Sequence, residues 1–139
     1  MPRVAAGRGK AEAGLRLAAL PRTSQQRSGD FAEQRALRLL QQRGWRLLSR
    51  QWRCRWGELD LVMAKPGRLL VVEVKGRRPR RGGWGSDGLD RRKGRRIARA
   101  WACWCAAHPD RAEWPVELVA ALVPLPPQAG PVRWIRLLV

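Results

Sequence analysis

Gly57-Glu58-Leu59-Asp60-Leu61-Val62 and Val71-Val72-Glu73-Val74-Lys75, joined through Lys65-Pro66-Gly67, decide how this chain folds and what it can do. Two apolar runs flanking a Pro-Gly turn read as neighbouring strands, Gly57 to Ala64 and Arg68 to Lys75. Strand side chains alternate between faces, so Glu58, Asp60 and Val62 are expected on one face, and Glu73 and Lys75 on one face of the next strand. A tight turn at Pro66-Gly67 sets Asp60 opposite Glu73 and Glu58 opposite Lys75. That register is conditional, because Pro-Gly favours a type II turn, which suits a two-residue hairpin poorly. Opposed like charges destabilise a sheet, and both acids lie beside residues that ought to be buried. A hard divalent cation held by carboxylates and waters would compensate them, and Mg²⁺, or Mn²⁺ in its place, is the natural partner where phosphate is the substrate. On spacing alone a second reading stands equally: Glu58 and Lys75 form an edge ion pair and Asp60 is a turn or strand-end residue.

Outward from the hairpin, the element order reads α-β-β-β-α-β-β. Ala32, Ala36, Leu37 and Leu40 recur at helical spacing between Asp30 and Arg43, with Gly44 as the stop. Trp45 to Trp52 reads as a strand. Arg77 to Gly88 is a loop rich in Gly, Arg and Pro. A helix follows from about Leu89 to Ala107, with Ile97, Ala100, Trp101 and Trp104 on its apolar side, and His108-Pro109 ends it. Val116 to Val123 and Val132 to Val139 read as the last strands. Residues 1 to 27 mix Ala, Gly, Pro, Arg and Ser with weak periodicity and are expected to form a basic, mobile arm, leaving 28 to 139 as one α/β domain.

A formal charge of +18 on 139 residues exceeds what solubility asks for and points to a polyanionic partner. The arm carries a minor part of it, so the charge belongs to the domain. An arginine-rich genome explains Arg in place of Lys but not the excess of base over acid. Nucleic acid is favoured over a membrane surface, because no basic amphipathic helix is flanked by apolar anchors. No apolar run approaches the ~20 residues of a bilayer span, and no signal-like apolar segment opens the chain, so the expected location is the cytoplasm. Cys54, Cys103 and Cys105 are odd in number and form no C-x-x-C pair, which supports neither a disulfide framework nor a zinc site.

Four stretches carry a family resemblance: Gly29-x-x-x-Glu33-x-x-Ala36, Gly57-Glu58-Leu59-Asp60, Val72-Glu73-Val74-Lys75-x-Arg77 and Lys93-x-x-Arg96-Ile97. Together, over about Ser28 to Val123, they resemble the successive motifs of the YraN family, uncharacterised bacterial proteins of the restriction-endonuclease-like superfamily. The Glu-x-Lys element is also similar to that of archaeal Holliday junction resolvases, whose first-helix glutamate would correspond to Glu33. The chain departs from the family at Pro115-Val116-Glu117, where Arg-Phe-Asp is usual, and it has no tyrosine.

The resemblance implies an endonuclease-like core, a mixed central sheet flanked by helices, and a metal-dependent nuclease. In that reading Asp60, Glu73 and the backbone carbonyl of Val74 ligate Mg²⁺ or Mn²⁺. Lys75 steers the attacking water or stabilises developing charge, and Glu33 assists from the first helix. Glu33 has a competing role as the N3 residue of a capping box with Asp30. Glu58 is expected to support the site indirectly, through its pairing with Lys75. Arg77, Arg92, Lys93, Arg95, Arg96 and Arg99 are placed to contact phosphates, and Trp84 to stack on a base. Trp101 and Trp104 read as core, and His108 as a cap. The alternative from a different class is a nucleic-acid-binding module that keeps the fold and does no chemistry. Resolvase activity would need a homodimer, which the sequence does not establish.

Overall fold

The computed structural model describes residues 21–78 and 91–137; the arm's first twenty residues and Trp84 lie outside them. Helix α1 spans Ser24–Gln42, β1 Arg46–Cys54, β2 Gly57–Lys65, β3 Arg68–Arg77, α2 Arg91–Ala107, β4 Val116–Pro124 and β5 Arg133–Arg136, with a 3₁₀ turn at Pro109–Arg111. The five strands form one mixed sheet in the order β1-β2-β3-β4-β5. Only the β3–β4 pair is parallel, and α2 makes the crossover between them.

Each helix covers one face. Ala32, Ala36, Leu37 and Leu40 of α1 pack on Leu61, Met63, Leu70, Val72, Ala121 and Val123. On the other face Ile97, Ala100 and Trp104 of α2 meet Leu59, Val62, Ala64, Leu69 and Val71. This is why Leu69 to Val72 is a continuous apolar run: a central strand buried on both faces alternates between two cores rather than between core and water. Trp104 is fully buried, stacks on Trp101 and donates from its indole Nε1 to Ser49 Oγ at 2.9 Å, which ties α2 to β1. The His108 Nδ1 lies 2.8 Å from the Trp104 carbonyl, so His108 caps the end of α2.

Helix α1 begins six residues before the expected Asp30. Its N-cap is Thr23, whose hydroxyl accepts from the Gln26 amide while the Gln26 side chain accepts from the Thr23 amide. That reciprocal pair is the capping box, and Asp30, well inside the helix, instead bonds Arg22 at 2.9 Å. The competing role for Glu33 is thereby overturned.

The Pro66-Gly67 turn is a two-residue connection after all. Gly67 takes φ +76°, a left-handed conformation a side chain would strain, and the register runs from Lys65↔Arg68 to Leu61↔Val72. No helix among the described residues is long and apolar enough to cross a membrane. All three cysteines are free, and burial pushes the Cys105 thiol above its usual range.

Candidate active site at the strand fork

The β2–β3 ladder stops at Leu61↔Val72. Beyond that point β2 continues against β1, through Trp52↔Leu59 to Cys54↔Gly57, while β3 continues against β4 from Glu73↔Ala120 onward. The two strands therefore part at Asp60 and Glu73, one register step past the last pair. The opposition expected from the turn is where the sheet forks.

Asp60 marks a break in the alternation of β2. Leu59, Val62 and Ala64 all pack on the α2 side, whereas Leu61 and Met63 pack on the α1 side. Leu59 and Val62 are three apart, so a strict period of two fails between Leu59 and Leu61. The expectation of one unbroken alternation carrying Glu58, Asp60 and Val62 on a single face therefore fails across Asp60. Opposite it on β1, between Arg50↔Leu61 and Trp52↔Leu59, stands Gln51 with φ +52°, a conformation rare outside glycine and asparagine. The backbone irregularities of both strands thus meet at this acid. The Asp60 carboxylate turns across the fork, and its Oδ2 accepts the Val74 N–H at 2.7 Å, replacing the ladder bond that the parting strands forgo.

Glu73 is half-buried, with its side chain 12% exposed. Its Oε1 lies 3.1 Å from the Lys93 Nζ and 3.4 Å from the Lys75 Nζ. Lys75 is reached from two residues along the same strand, as expected. Lys93 arrives from the first turn of α2 and is turned toward Glu73, not displayed with the surface arginines. Burial lowers the Lys93 pKa, and the neighbouring Lys75 lowers it further, while Glu73 opposes both.

The environment of Asp60 is the reverse. Its pKa is raised to about 7, first by burial and then by the charge on Glu73, with smaller contributions from Glu33 and Glu58; the Val74 amide pulls the other way. Among the described residues two lysines compensate Glu73, whereas Asp60 has one amide donor set against three carboxylates.

Glu33 is buried, at 6% exposure, and its carboxylate is held from β1. Arg50 Nε donates to Oε1 at 2.6 Å, and Gln51 Nε2 lies 3.3 Å from both oxygens. It approaches Asp60 closely enough to raise its pKa, so α1 delivers an acid to the rim of the fork, already anchored by two partners. Glu58 departs from expectation. It pairs with Arg53, its cross-strand neighbour on β1, at 3.0 Å, and not with Lys75, because β2 has left β3 at this position.

Arg92, Arg95, Arg96 and Arg99 are exposed and recur at helical spacing, forming one basic stripe along α2 beside the fork. Arg77 ends β3 and is half-buried. Sequence reasoning missed Arg50, Gln51, the inward turn of Lys93 and Trp56, an exposed indole at the β1–β2 turn. The Trp56-Gly57 dipeptide was the available signal for that turn, since Gly57 takes φ +146° there.

Among the described residues no three Asp, Glu, His or Cys side chains converge tightly enough to enclose an ion. Mg²⁺ does not require such a cage, since it is commonly bound by one or two carboxylates with waters and substrate phosphates completing the shell. Two carboxylates at an open fork, one of them electrostatically uncompensated, fit that chemistry. They do not fit zinc or copper, for which soft or imidazole donors would be expected, whereas Mn²⁺ shares the preference of Mg²⁺ for oxygen donors.

The family model for Uncharacterised protein family UPF0102 matches residues 32–121, which take in every residue of the fork and the basic stripe. The chain is 54% identical over 112 residues to a UPF0102 protein of Prochlorococcus marinus (strain MIT 9303), covering 80% of this chain and 89% of that one. It is 52% identical over 109 residues to a UPF0102 protein of Parasynechococcus marenigrum (strain WH8102), covering 78% and 80%. A UPF0102 protein of Stutzerimonas stutzeri (strain A1501) is 39% identical over 111 residues, covering 80% and 92%.

Proposed function

Because the chain belongs to the uncharacterised protein family UPF0102, which brings no activity with it, we propose from its own residues that it is a metal-dependent nuclease hydrolysing DNA phosphodiester bonds. The observation that carries this reading is the fork itself: Asp60 and Glu73 converge where two strands part, with Lys75 and Lys93 on one flank and a basic helical stripe alongside. A Mg²⁺ or Mn²⁺ ion held by Asp60 and Glu73, with the Val74 carbonyl, would polarise the scissile phosphate and make water a better nucleophile at neutral pH.

The protein's own groups divide the remaining work. The Val74 amide fixes the Asp60 carboxylate across the fork, and Arg50 and Gln51 hold Glu33 at its rim. Lys75 and Lys93 present two ammonium groups where negative charge develops as the phosphate is attacked, stabilisation that costs no reorganisation at the moment of reaction. Arg92, Arg95, Arg96 and Arg99 lie along the approach and position the backbone without reading sequence.

Incubating the purified protein with duplex, single-stranded, flap and four-way DNA, in Mg²⁺, Mn²⁺ or chelator, tests the proposal. Cleavage in either metal and none in chelator supports it, and no cleavage of any substrate contradicts it. Activity on four-way DNA would further require two forks, and hence a homodimer.

One observation favours the alternative of a non-catalytic nucleic-acid-binding module. Lys75 and Lys93 already compensate Glu73 without an added ion, so that half of the cluster is self-sufficient as an ion-pair network. The two readings share the basic stripe and a prediction about it. DNA affinity should fall log-linearly with salt through counterion release, and replacing Arg95, Arg96 and Arg99 with alanine should reduce the slope by about 2–3, roughly 0.9 for each phosphate left without its arginine. Fluorescence anisotropy across a salt series measures it; an unchanged slope would move the binding surface off α2.

A further inference from the structure

Trp56 is the one exposed tryptophan among the described residues, at 39%. It occupies a two-residue turn between Cys54 and Gly57, where small, flexible residues are favoured and a large apolar ring gains little burial. Its own backbone amide is bonded to Cys54 Sγ at 3.4 Å, so the indole is displayed by a fixed turn. Two guanidinium groups flank the ring: Arg55 at 4.6 Å and Arg99, the last member of the α2 stripe, at 5.1 Å.

This arrangement has the two components of a single-strand-binding surface, a partly exposed aromatic ring and cations over it that can reach phosphates. The arginines do not close it to a ligand. A guanidinium over an exposed ring is held weakly, whereas a base on an aromatic ring is held more strongly, so a base can take the ring while each arginine turns to the adjoining phosphate. A fully paired duplex offers no such base, because its π-faces are covered by stacking.

The position is set by the fold. Trp56, in the turn that leads into β2, precedes Asp60 by four residues, about 13 Å of extended chain, and Arg99 follows Lys93 by six residues of α2, about 9 Å of helix. At about 3.4 Å per nucleotide along a helical strand, this corresponds to three or four nucleotides. Resting on the nucleic-acid reading above, we propose that Trp56, with Arg55 and Arg99, is a stacking site for an unpaired base three or four nucleotides from the phosphate at the fork, which selects nucleic acid with a single-stranded segment.

The test compares a single-stranded oligonucleotide carrying 2-aminopurine with a blunt duplex of the same sequence, both in chelator so that no cleavage intervenes. Trp56→Ala should weaken binding to the single strand about tenfold and leave duplex binding within about twofold. Trp56→Phe should recover most of the loss, and 2-aminopurine should be quenched by wild type and not by Trp56→Ala. Equal losses on both substrates, or no loss on the single strand, would overturn the proposal. If Trp56→Ala melts early, the quenching and single-strand preference of Trp56→Phe decide in its place. The two readings fail distinguishably: wild type that binds neither substrate removes the nucleic-acid reading as well, whereas wild type that binds both, with no preference affected by Trp56, removes only the stacking site.

Discussion

Asp60→Asn should abolish metal-dependent cleavage and, in the same preparation, stabilise the metal-free protein at pH 8. The two effects have one cause. Burial and the charge on Glu73 raise the Asp60 pKa from 3.8 to about 7, so in the folded chain it holds its proton to near neutrality, while in the unfolded chain it releases it near its ordinary value. The folded state binds more protons over that interval, so wild-type stability falls as pH rises from about 4 to about 7 and stays low above it. Asparagine keeps an oxygen acceptor for the Val74 amide and carries no charge. The variant should therefore be more stable than wild type at pH 8 by up to a few kcal/mol, with the gap closing toward pH 4. Cleavage should drop on the order of a thousandfold or more, since the lost carboxylate removes a larger electrostatic contribution than a single hydrogen-bond donor would. Urea melts at pH 4.5 and 8, beside cleavage rates in Mn²⁺, measure both. A residue with only a structural role gives the opposite sign, a variant that is less stable at pH 8.

Lys75→Ala should lower the cleavage rate by about 10²- to 10³-fold and leave divalent-ion affinity unchanged or stronger. Glu73 keeps Lys93 at 3.1 Å when Lys75 is removed, so its carboxylate is not stranded and the fork should keep its shape. What disappears is one of the two ammonium groups that would face the phosphate in the proposed reaction, together with a positive charge that repels a cation. An interaction made in the transition state reduces the rate without weakening ground-state binding, and single-turnover rates at saturating Mn²⁺ isolate that contribution. Were Lys75 only half of an ion pair, Lys75→Ala and Glu73→Gln would alter stability alike, and Lys75→Ala would keep its rate.

The hairpin made much of this legible. Pro66-Gly67 set the register from Lys65↔Arg68 to Leu61↔Val72, which brings Asp60 and Glu73 to the same level of the sheet. What could not be read was the fork. Extrapolating the ladder placed Glu58 against Lys75, but pairing ends at Leu61, so Glu58 finds Arg53 on β1 and Lys75 stays with Glu73. A strand that stops pairing leaves no mark on hydrophobic alternation until its neighbours are known, and the positive φ of Gln51 has no glycine to announce it. Lys93 illustrates a second limit. Among Arg92, Arg95, Arg96 and Arg99 it looks like one more surface base, and only the packing of α2 on β2 turns it toward Glu73. The start of α1 was missed for a local reason: Thr23-x-x-Gln26 was the true capping box, while Asp30-x-x-Glu33, the same pattern, lies within the helix.

Calorimetric titration of Mn²⁺ or Mg²⁺ into wild type and Asp60→Asn, at pH 5.5 and pH 8 with uncleavable DNA present, tests the central claim most directly. If Asp60 is a ligand that must lose its proton before it can hold the ion, wild type should bind more tightly at pH 8 by about tenfold for each pH unit below about 7, with one proton released at the lower pH. Asp60→Asn should bind weakly or not at all at either pH. Wild type that binds no divalent ion at pH 8, or that binds it as well at pH 5.5 and as well without Asp60, would contradict the account.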